Sequence, residues 1–479
     1  MRLILRIVLL ICSFSQPLFA QSEWFSINTN ERSAERNFQQ VFQIVNEEAN
    51  EFVTFFQYSN FFVAYLHNTE GELLNTFSAK ALPKYKNNYI GASINGGAYT
   101  MFFQNDYGNR FSALTIDFST SGFVFENKID ILSNIESVIG TFEYKAHIYI
   151  LTSVKRSSIL KLHKLNNHKD YTVETYDFSN EKIVSPRGFD ISLNHLLDSG
   201  YDRHKASLIE NNEPGSLEES SKKNKLFLDN NKLILTNDFY NTSTSYISIN
   251  LENGNSELID FPKPSFDKKD RGSESNSFVL DNHLFSLYVT KEKLDFSIYD
   301  IDSKSILKSL TVTENDSITF KNSPIILERG EFDNYRELDK TKQFLRKVSN
   351  SNAGLFIYKQ ENKFIITLGC SETKESSSQF TFVGGFFGGL AFGITTAILT
   401  PSYYSYTRTK STRIECLFDN EFNSINGTIP DNSFDRIKTY IDELNDIKLR
   451  FKSIFKIDGK YILGYFDKEK GFYNYILID

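Results

Sequence analysis

From about residue 40 to its end the chain alternates short apolar runs with polar turns. Runs rich in Phe, Tyr, Ile, Val and Thr stand at Phe52–Tyr58, Phe61–Leu66, Tyr99–Gln104, Ile148–Ser153, Lys232–Thr236, Phe285–Val289 and Phe364–Leu368. All are of strand length, and the Asn, Asp, Gly, Ser and Lys between them supply turns. Two stretches read as helix instead. Leu338–Val348 is weakly periodic. In Phe434–Leu444, Phe434, Ile437, Ile441 and Leu444 share one face behind an Asn432 or Ser433 cap.

One phrase returns along the chain: an alternating apolar strand, an Asn or Asp at its end, a short polar turn, then another strand. Its markers are Asn68, Asp117, Asn166, Asn250, Asp300, Asp419 and Asp479, separated by 49, 49, 84, 50, 119 and 60 residues. The long steps hold segments that read as insertions, near 184–222, 320–350, 372–410 and 431–446. Without them the steps return towards 49. A period of about 40–50 residues with four short strands per unit is that of a β-propeller blade.

The pattern therefore predicts an all-β protein, a single β-propeller of seven four-stranded blades over residues 21–479. The last unit is one strand short, and Trp24–Asn28 is the candidate that closes it and removes two exposed edges. Two β-sandwich domains are the alternative, but sandwiches do not demand a constant four-strand period. Propeller families with known signatures are not matched: Trp24 is the only tryptophan, and paired glycines do not recur with the repeat. The resemblance is to an architecture, which does not set a function.

The first twenty residues stand apart. Arg2 and Arg6 give a basic start, Ile7–Cys12 is apolar, and Pro17–Ala20 supplies a small residue before Gln21. This predicts a signal peptide over residues 1–20 and export to the periplasm, cell surface or medium. The apolar stretch is far short of the roughly 20 residues that span a bilayer.

Composition adds limits. Hydrophobic residues make up 40% of the 479, and aromatics 15%, enough for a large core. The net charge of −7 is spread without a basic block, so no nucleic-acid partner is expected. Past residue 20 only Cys370 and Cys416 remain. They stand on strands expected to be neighbours, and form a candidate disulfide whose existence depends on register. A tight hairpin would put Cys370 opposite about 412, four residues from Cys416, and a longer loop would bring the two together.

Candidate chemistry is sparse. None of the seven histidines lies in a His-Glu-x-x-His pattern, and no phosphate-cradling glycine loop or Gly-x-Ser-x-Gly elbow occurs. No metal, no cofactor and no catalytic residue is assigned. The polar run Arg187, Asp190, His195, Asp198, Asp202, Arg203 and His204 reads as a solvated excursion.

Ser376–Thr407 is unusual because it carries no charge. Its centre is apolar and glycine-rich, and Phe382, Gly385, Phe386, Phe387, Gly389, Phe392 and Gly393 are the candidate membrane or partner contacts. Glycines every four residues allow close backbone approach, and Tyr403, Tyr404 and Tyr406 suit a membrane–water boundary. The expectation is that this insertion projects from the ring, the alternative being internal packing.

These features favour a non-catalytic binding or scaffold propeller at the cell envelope, with a protein partner or a membrane surface. One alternative is a secreted hydrolase or lyase acting on carbohydrate, which requires several carboxylates converging at the ring's axis. Another is a membrane-associated assembly factor that uses the glycine-rich insertion. Ligand, partner and oligomeric state are not set by these features.

Overall fold

The computed structural model describes residues 23–29, 38–59, 61–80, 87–105, 110–198, 205–263, 267, 272–329, 335–372, 395–444 and 449–478. Strand β1 (Glu23–Asn28) comes first and is used last. The first blade is β2 (Phe38–Asn46), β3 (Glu51–Tyr58), β4 (Phe61–Asn68) and β5 (Leu73–Lys80). The second is β6 (Asn87–Asn95), β7 (Ala98–Asn105), β8 (Phe111–Asp117) and β9 (Gly122–Ile129). The third is β10 (Glu136–Tyr144), β11 (His147–Val154), β12 (Ile159–Leu165) and β13 (Tyr171–Asp177).

Helix α1 (Leu193–Leu197), strand β14 (Ser207–Ile209) and helix α2 (Leu217–Ser220) precede the fourth blade. That blade is β15 (Asn224–Asp229), β16 (Lys232–Asn237), β17 (Ser243–Asn250) and β18 (Ser256–Pro262), with β14 added in parallel to β15. The fifth is β19 (Glu274–Leu280), β20 (His283–Val289), β21 (Lys293–Asp300) and β22 (Ile306–Thr313).

Then come β23 (Ile325–Arg329), β24 (Arg336–Leu338), helix α3 (Thr341–Val348), β25 (Asn352–Gln360), β26 (Lys363–Ser371), helix α4 (Thr395–Arg408) and β27 (Lys410–Phe418). They form a sixth blade ordered β25-β26-β27-β23-β24. Helix α5 (Ser433–Glu443) leads into β28 (Leu449–Ile457), β29 (Lys460–Asp467) and β30 (Phe472–Ile478), and β1 pairs antiparallel with β30 to complete the seventh. The expected seven-bladed propeller closed by its N-terminal strand is the architecture found.

The repeat has a physical cause. Each marker ends or directly follows the third strand of a blade, and at five of them the side chain caps the turn; in the third blade Asn167, next to marker Asn166, does so. Asn68 Oδ1 accepts the Glu72 N–H at 2.8 Å, Asp117 Oδ1 that of Ser119 at 2.9 Å, and Asp300 Oδ1 that of Ser303 at 2.7 Å. Asn250 and Asp419 do the same for Glu252 and Asn423. Such Asx turns, together with backbone bonds such as Asn68 N–H to Glu72 O, fix the route to the fourth strand. The fourth strands lie at the rim, and β13 and β22 are largely exposed.

Neighbouring blades pack through apolar faces. Phe42 stacks on Tyr89 between blades one and two, and Phe102 and Ile150 share a cluster between two and three. Phe285 meets Phe364 between five and six, and Phe52 meets Phe455 between one and seven.

Two expected insertions read differently in the fold. The segment near 320–350 is not wholly an excursion, because β23 pairs with β27 and supplies the sixth blade's fourth strand. The chain after β27 goes into a loop and α5, which leaves that edge for an earlier strand to cover. The segment near 184–222 does not stay outside. Its β14 and α2 run inward along β15 and β25. The helix expected at Phe434–Leu444 is α5, capped by Asn432.

Candidate functional site

The seven glycine-insertion residues, Phe382, Gly385, Phe386, Phe387, Gly389, Phe392 and Gly393, lie outside the described residues. The chain resumes at α4, which turns inward against β28 and β2. Leu399 and Tyr403 are buried in one cluster with Phe434 and Ile454. Thr400 Oγ1 accepts the Ile454 N–H at 2.7 Å, and Ser402 donates to Glu219 at 2.8 Å. Tyr406 donates to Asp435 at 2.8 Å. The expected projection from the ring is thus corrected for residues 399–408, because their hydroxyls find partners and their rings find cover inside it. Among the described residues no helix is long and apolar enough to cross a membrane.

The disulfide expectation is also corrected. Cys370 pairs with Thr412 and Cys416 with Ile366, an offset of four positions, and both are free and buried. Four residues of strand are about 13 Å, well beyond a disulfide's reach. Arg187, Asp190, His195 and Asp198 are exposed, and 202–204 lie outside the described residues. Among the described residues no group of three or more His, Cys, Asp or Glu is arranged to hold a metal ion.

The structure brings together residues that the sequence reading passed over. Blade six has two unlike faces. Leu355, Ile366, Leu368, Ile414 and Cys416 belong to the apolar core shared with blade five. The opposite face carries Thr367 paired with Glu415, Gly369 with Arg413, and Ser411 with Glu328. Cross-strand partners point to the same side of a sheet, so these polar groups form one patch. Gly369 is needed there, since a Cβ at this position would collide with the Thr412 carbonyl.

This patch faces helices rather than another blade. On the seventh blade's side, Phe434, Ile437 and Ile441 of α5 and Leu399 of α4 cover Leu463, Ile476 and Ile478. A cleft of about 310 Å³ remains between the sixth blade, α4, α5 and the Gly215–Leu217 segment. Arg413 lies in its wall. Its Nε donates to Glu415 at 3.1 Å, and its Nη1 donates to Ser411 at 3.1 Å and pairs with Glu328. Burial opposes the charge, but the two glutamates outweigh it and raise the guanidinium's pKa. At the far side Asn432 Nδ2 donates to Tyr406 Oη at 3.0 Å. Burial raises the Asp435 pKa there.

A second set of polar groups sits beside the innermost strands. Glu213 accepts from Tyr461 and pairs with Lys456, both of blade seven. Glu210 and Glu219 line a small space of about 10 Å³ with Glu213 and Ser402. Burial, then the charges of Glu210 and Glu47, push Glu143 on β10 up to about 8. Burial, helped by Glu213 and opposed by Lys456, brings Glu210 to about 7, and burial likewise brings Glu219 to about 7. Several carboxylates therefore converge near the axis, the condition set for a carbohydrate-acting enzyme. Access is the missing part. The space holds about one water molecule, and β14, α2 and α4 pack around it.

No protein-family model and no curated protein matches the chain. Among solved structures it is similar to a member of the DUF4221 family from Bacteroides vulgatus, at 11% identity over 83% of this chain and 94% of that one, with a TM-score of 0.33. It is also similar to Synechocystis apocarotenoid oxygenase, at 9% identity over 57% of this chain, with a TM-score of 0.28. The chain spans 62% of the length of that oxygenase. Likenesses this distant carry no inference about chemistry.

Proposed function

We propose that this chain is an exported, non-catalytic binding protein that holds a small polar ligand in the cleft between its sixth and seventh blades. The observation that carries the reading is the polar face of the sixth blade. The face turned towards blade five is apolar, whereas this one sets Glu328, Arg413 and Glu415 beside an open cleft. Partly burying Arg413 with two glutamates costs desolvation that an apolar face avoids. Ligand pockets combine apolar walls with a few convergent polar groups, and this cleft sets Tyr358, Ile365 and Ile429 beside Arg413 and Glu415. Export rests on the basic start and apolar stretch of residues 1–20, and intact mass of the exported protein should begin at Gln21.

A thermal-shift screen against the full chain and its Thr367→Trp variant tests the reading. A bulky ring at 367 fills the cleft, so compounds that stabilise the parent should fail to stabilise the variant. Stabilisation that ignores the substitution would place the ligand elsewhere.

The axial glutamates favour a second reading, a secreted hydrolase acting on carbohydrate. Release of reducing ends from a polysaccharide by the purified protein, abolished by Glu213→Gln, would favour it over the first.

A further inference from the structure

We infer that the ligand of this cleft is a neutral, polyhydroxylated molecule of one or two rings, a mono- or disaccharide. The inference rests on reading the cleft as a binding site, and concerns what that site selects. Its size sets the first limit. At about 310 Å³ it stands at the small end of ligand pockets, which run from about 300 to 1,000 Å³.

Charge sets the second. Glu328, Glu415, Asp431 and Asp435 face the cleft against Arg413 and Lys438, a formal charge of −2. An anion entering would meet net repulsion. The start of α5 gives it no refuge, because Asn432 Oδ1 already accepts the N–H groups of Phe434 and Asp435. Asp435 in turn accepts the Asn432 N–H at 3.0 Å. A cation finds little more, since three of the four carboxylates are already engaged. Glu328 and Glu415 are engaged by Arg413, and Asp435 by Asn432 and Tyr406.

The remaining capacity is that of neutral hydrogen bonding. Arg413 uses Nε and Nη1, and no described residue accepts from Nη2. Its two N–H groups are forked donors whose charge is already balanced, suited to hydroxyl or ring oxygens rather than to a carboxylate. Seven hydroxyl-bearing side chains line the same space; Tyr406, Thr407 and Thr409 already donate within the protein and keep acceptor capacity, while Ser411 accepts from Arg413 and keeps its O–H to donate. A sugar hydroxyl can meet both kinds. Of the rings that line the cleft, Phe356 and Tyr358 are buried and Tyr406 is half-buried, so Tyr406 offers the apolar edge for the C–H groups of a pyranose.

Isothermal titration calorimetry on the full chain tests this, with D-glucose, D-galactose, N-acetyl-D-glucosamine, maltose and cellobiose as neutral probes. D-glucuronate and inorganic phosphate form the anionic arm, and D-glucosamine the cationic one. At least one neutral sugar should bind saturably, and its charged counterparts about tenfold more weakly or not at all. Arg413→Lys keeps the pairing with the glutamates but lacks the fork. It should weaken the neutral sugar by about tenfold while far-UV circular dichroism shows the fold retained. Thr367→Trp should abolish binding, and if that variant fails to fold, Arg413→Lys still decides. Tighter binding of glucuronate, phosphate or glucosamine, sensitive to Arg413→Lys, overturns the sugar class and leaves the cleft standing. Sugar binding indifferent to both substitutions, or no binding by any probe, overturns the cleft reading as well.

Discussion

Arg413 and the axial glutamates illustrate two ways of keeping charge inside this protein. Arg413 stays charged because Glu328 and Glu415 balance it. Glu143, Glu210 and Glu219 face burial with less help, so their pKa values rise to about 8, 7 and 7. A carboxyl whose folded pKa is raised contributes stability in full below its unfolded value, lost as pH rises through the folded one. His67, lowered by burial to about 4, is neutral in both states above its ordinary 6.5. Lys263, lowered by burial to about 8, works in the opposite sense only above that value. The melting temperature should therefore fall between about pH 6.5 and 8, and Glu143→Gln should shrink the fall. A flat or rising profile across that window would mean that these carboxyls are not held neutral in the fold. At the same scale, burial pushes the Cys370 thiol up to about 11. Both Cys370 and Cys416 should resist alkylation in the native protein and both label under denaturing, non-reducing conditions, whereas absence of label would indicate a bond.

At the scale of elements, β1 does more than fill a gap. Trp24 stacks on Phe52 at 5.5 Å and Phe25 on Tyr475 at 4.6 Å, and Phe25 also meets His67. One short strand thereby fastens blade seven to blade one. Deleting residues 21–29 should lower the melting temperature by roughly 5 °C or more, and an unchanged value would show that closure lies elsewhere. Trp24–Asn28 was legible as this strand because the last repeat ends one strand short. The blades were legible because the third strands of blades one, two, four, five and six end at an Asn or Asp that caps the turn. Blade six was only half legible, since β23 precedes its own blade and looked like an insertion. The cleft was not read at all. Ser411, Arg413 and Glu415 alternate with Thr412, Ile414 and Cys416, which on its own describes any half-solvated strand. The available signal was comparison across blades. The third strands β17 and β21 carry mostly Ser, Thr, Ile and aromatic residues where β27 carries Arg413 and Glu415.

In the whole molecule, the blades meet largely through apolar faces, but between blades four and five Lys225, Lys263 and Ser277 surround the buried Asp238, and between blades six and seven helices intervene. Beside the innermost strands, β14, α2 and α4 pack together, so that Ser216 meets Ser405 at 2.6 Å, and α2 is also tied to β26 where Ser221 meets Ser371 at 2.8 Å. The inner segments thus form one wall of the cleft, and occupying it should change local stability there more than anywhere else. Hydrogen–deuterium exchange of the full chain, with and without the neutral sugar that binds best in calorimetry, is the most direct measurement of the central claim. The account predicts slowed exchange in peptides covering 356–367, 409–415 and 429–438, with blades one to three unchanged. Protection confined to 207–213 and 454–461, around the axial glutamates, or protection in none of these peptides, would contradict it.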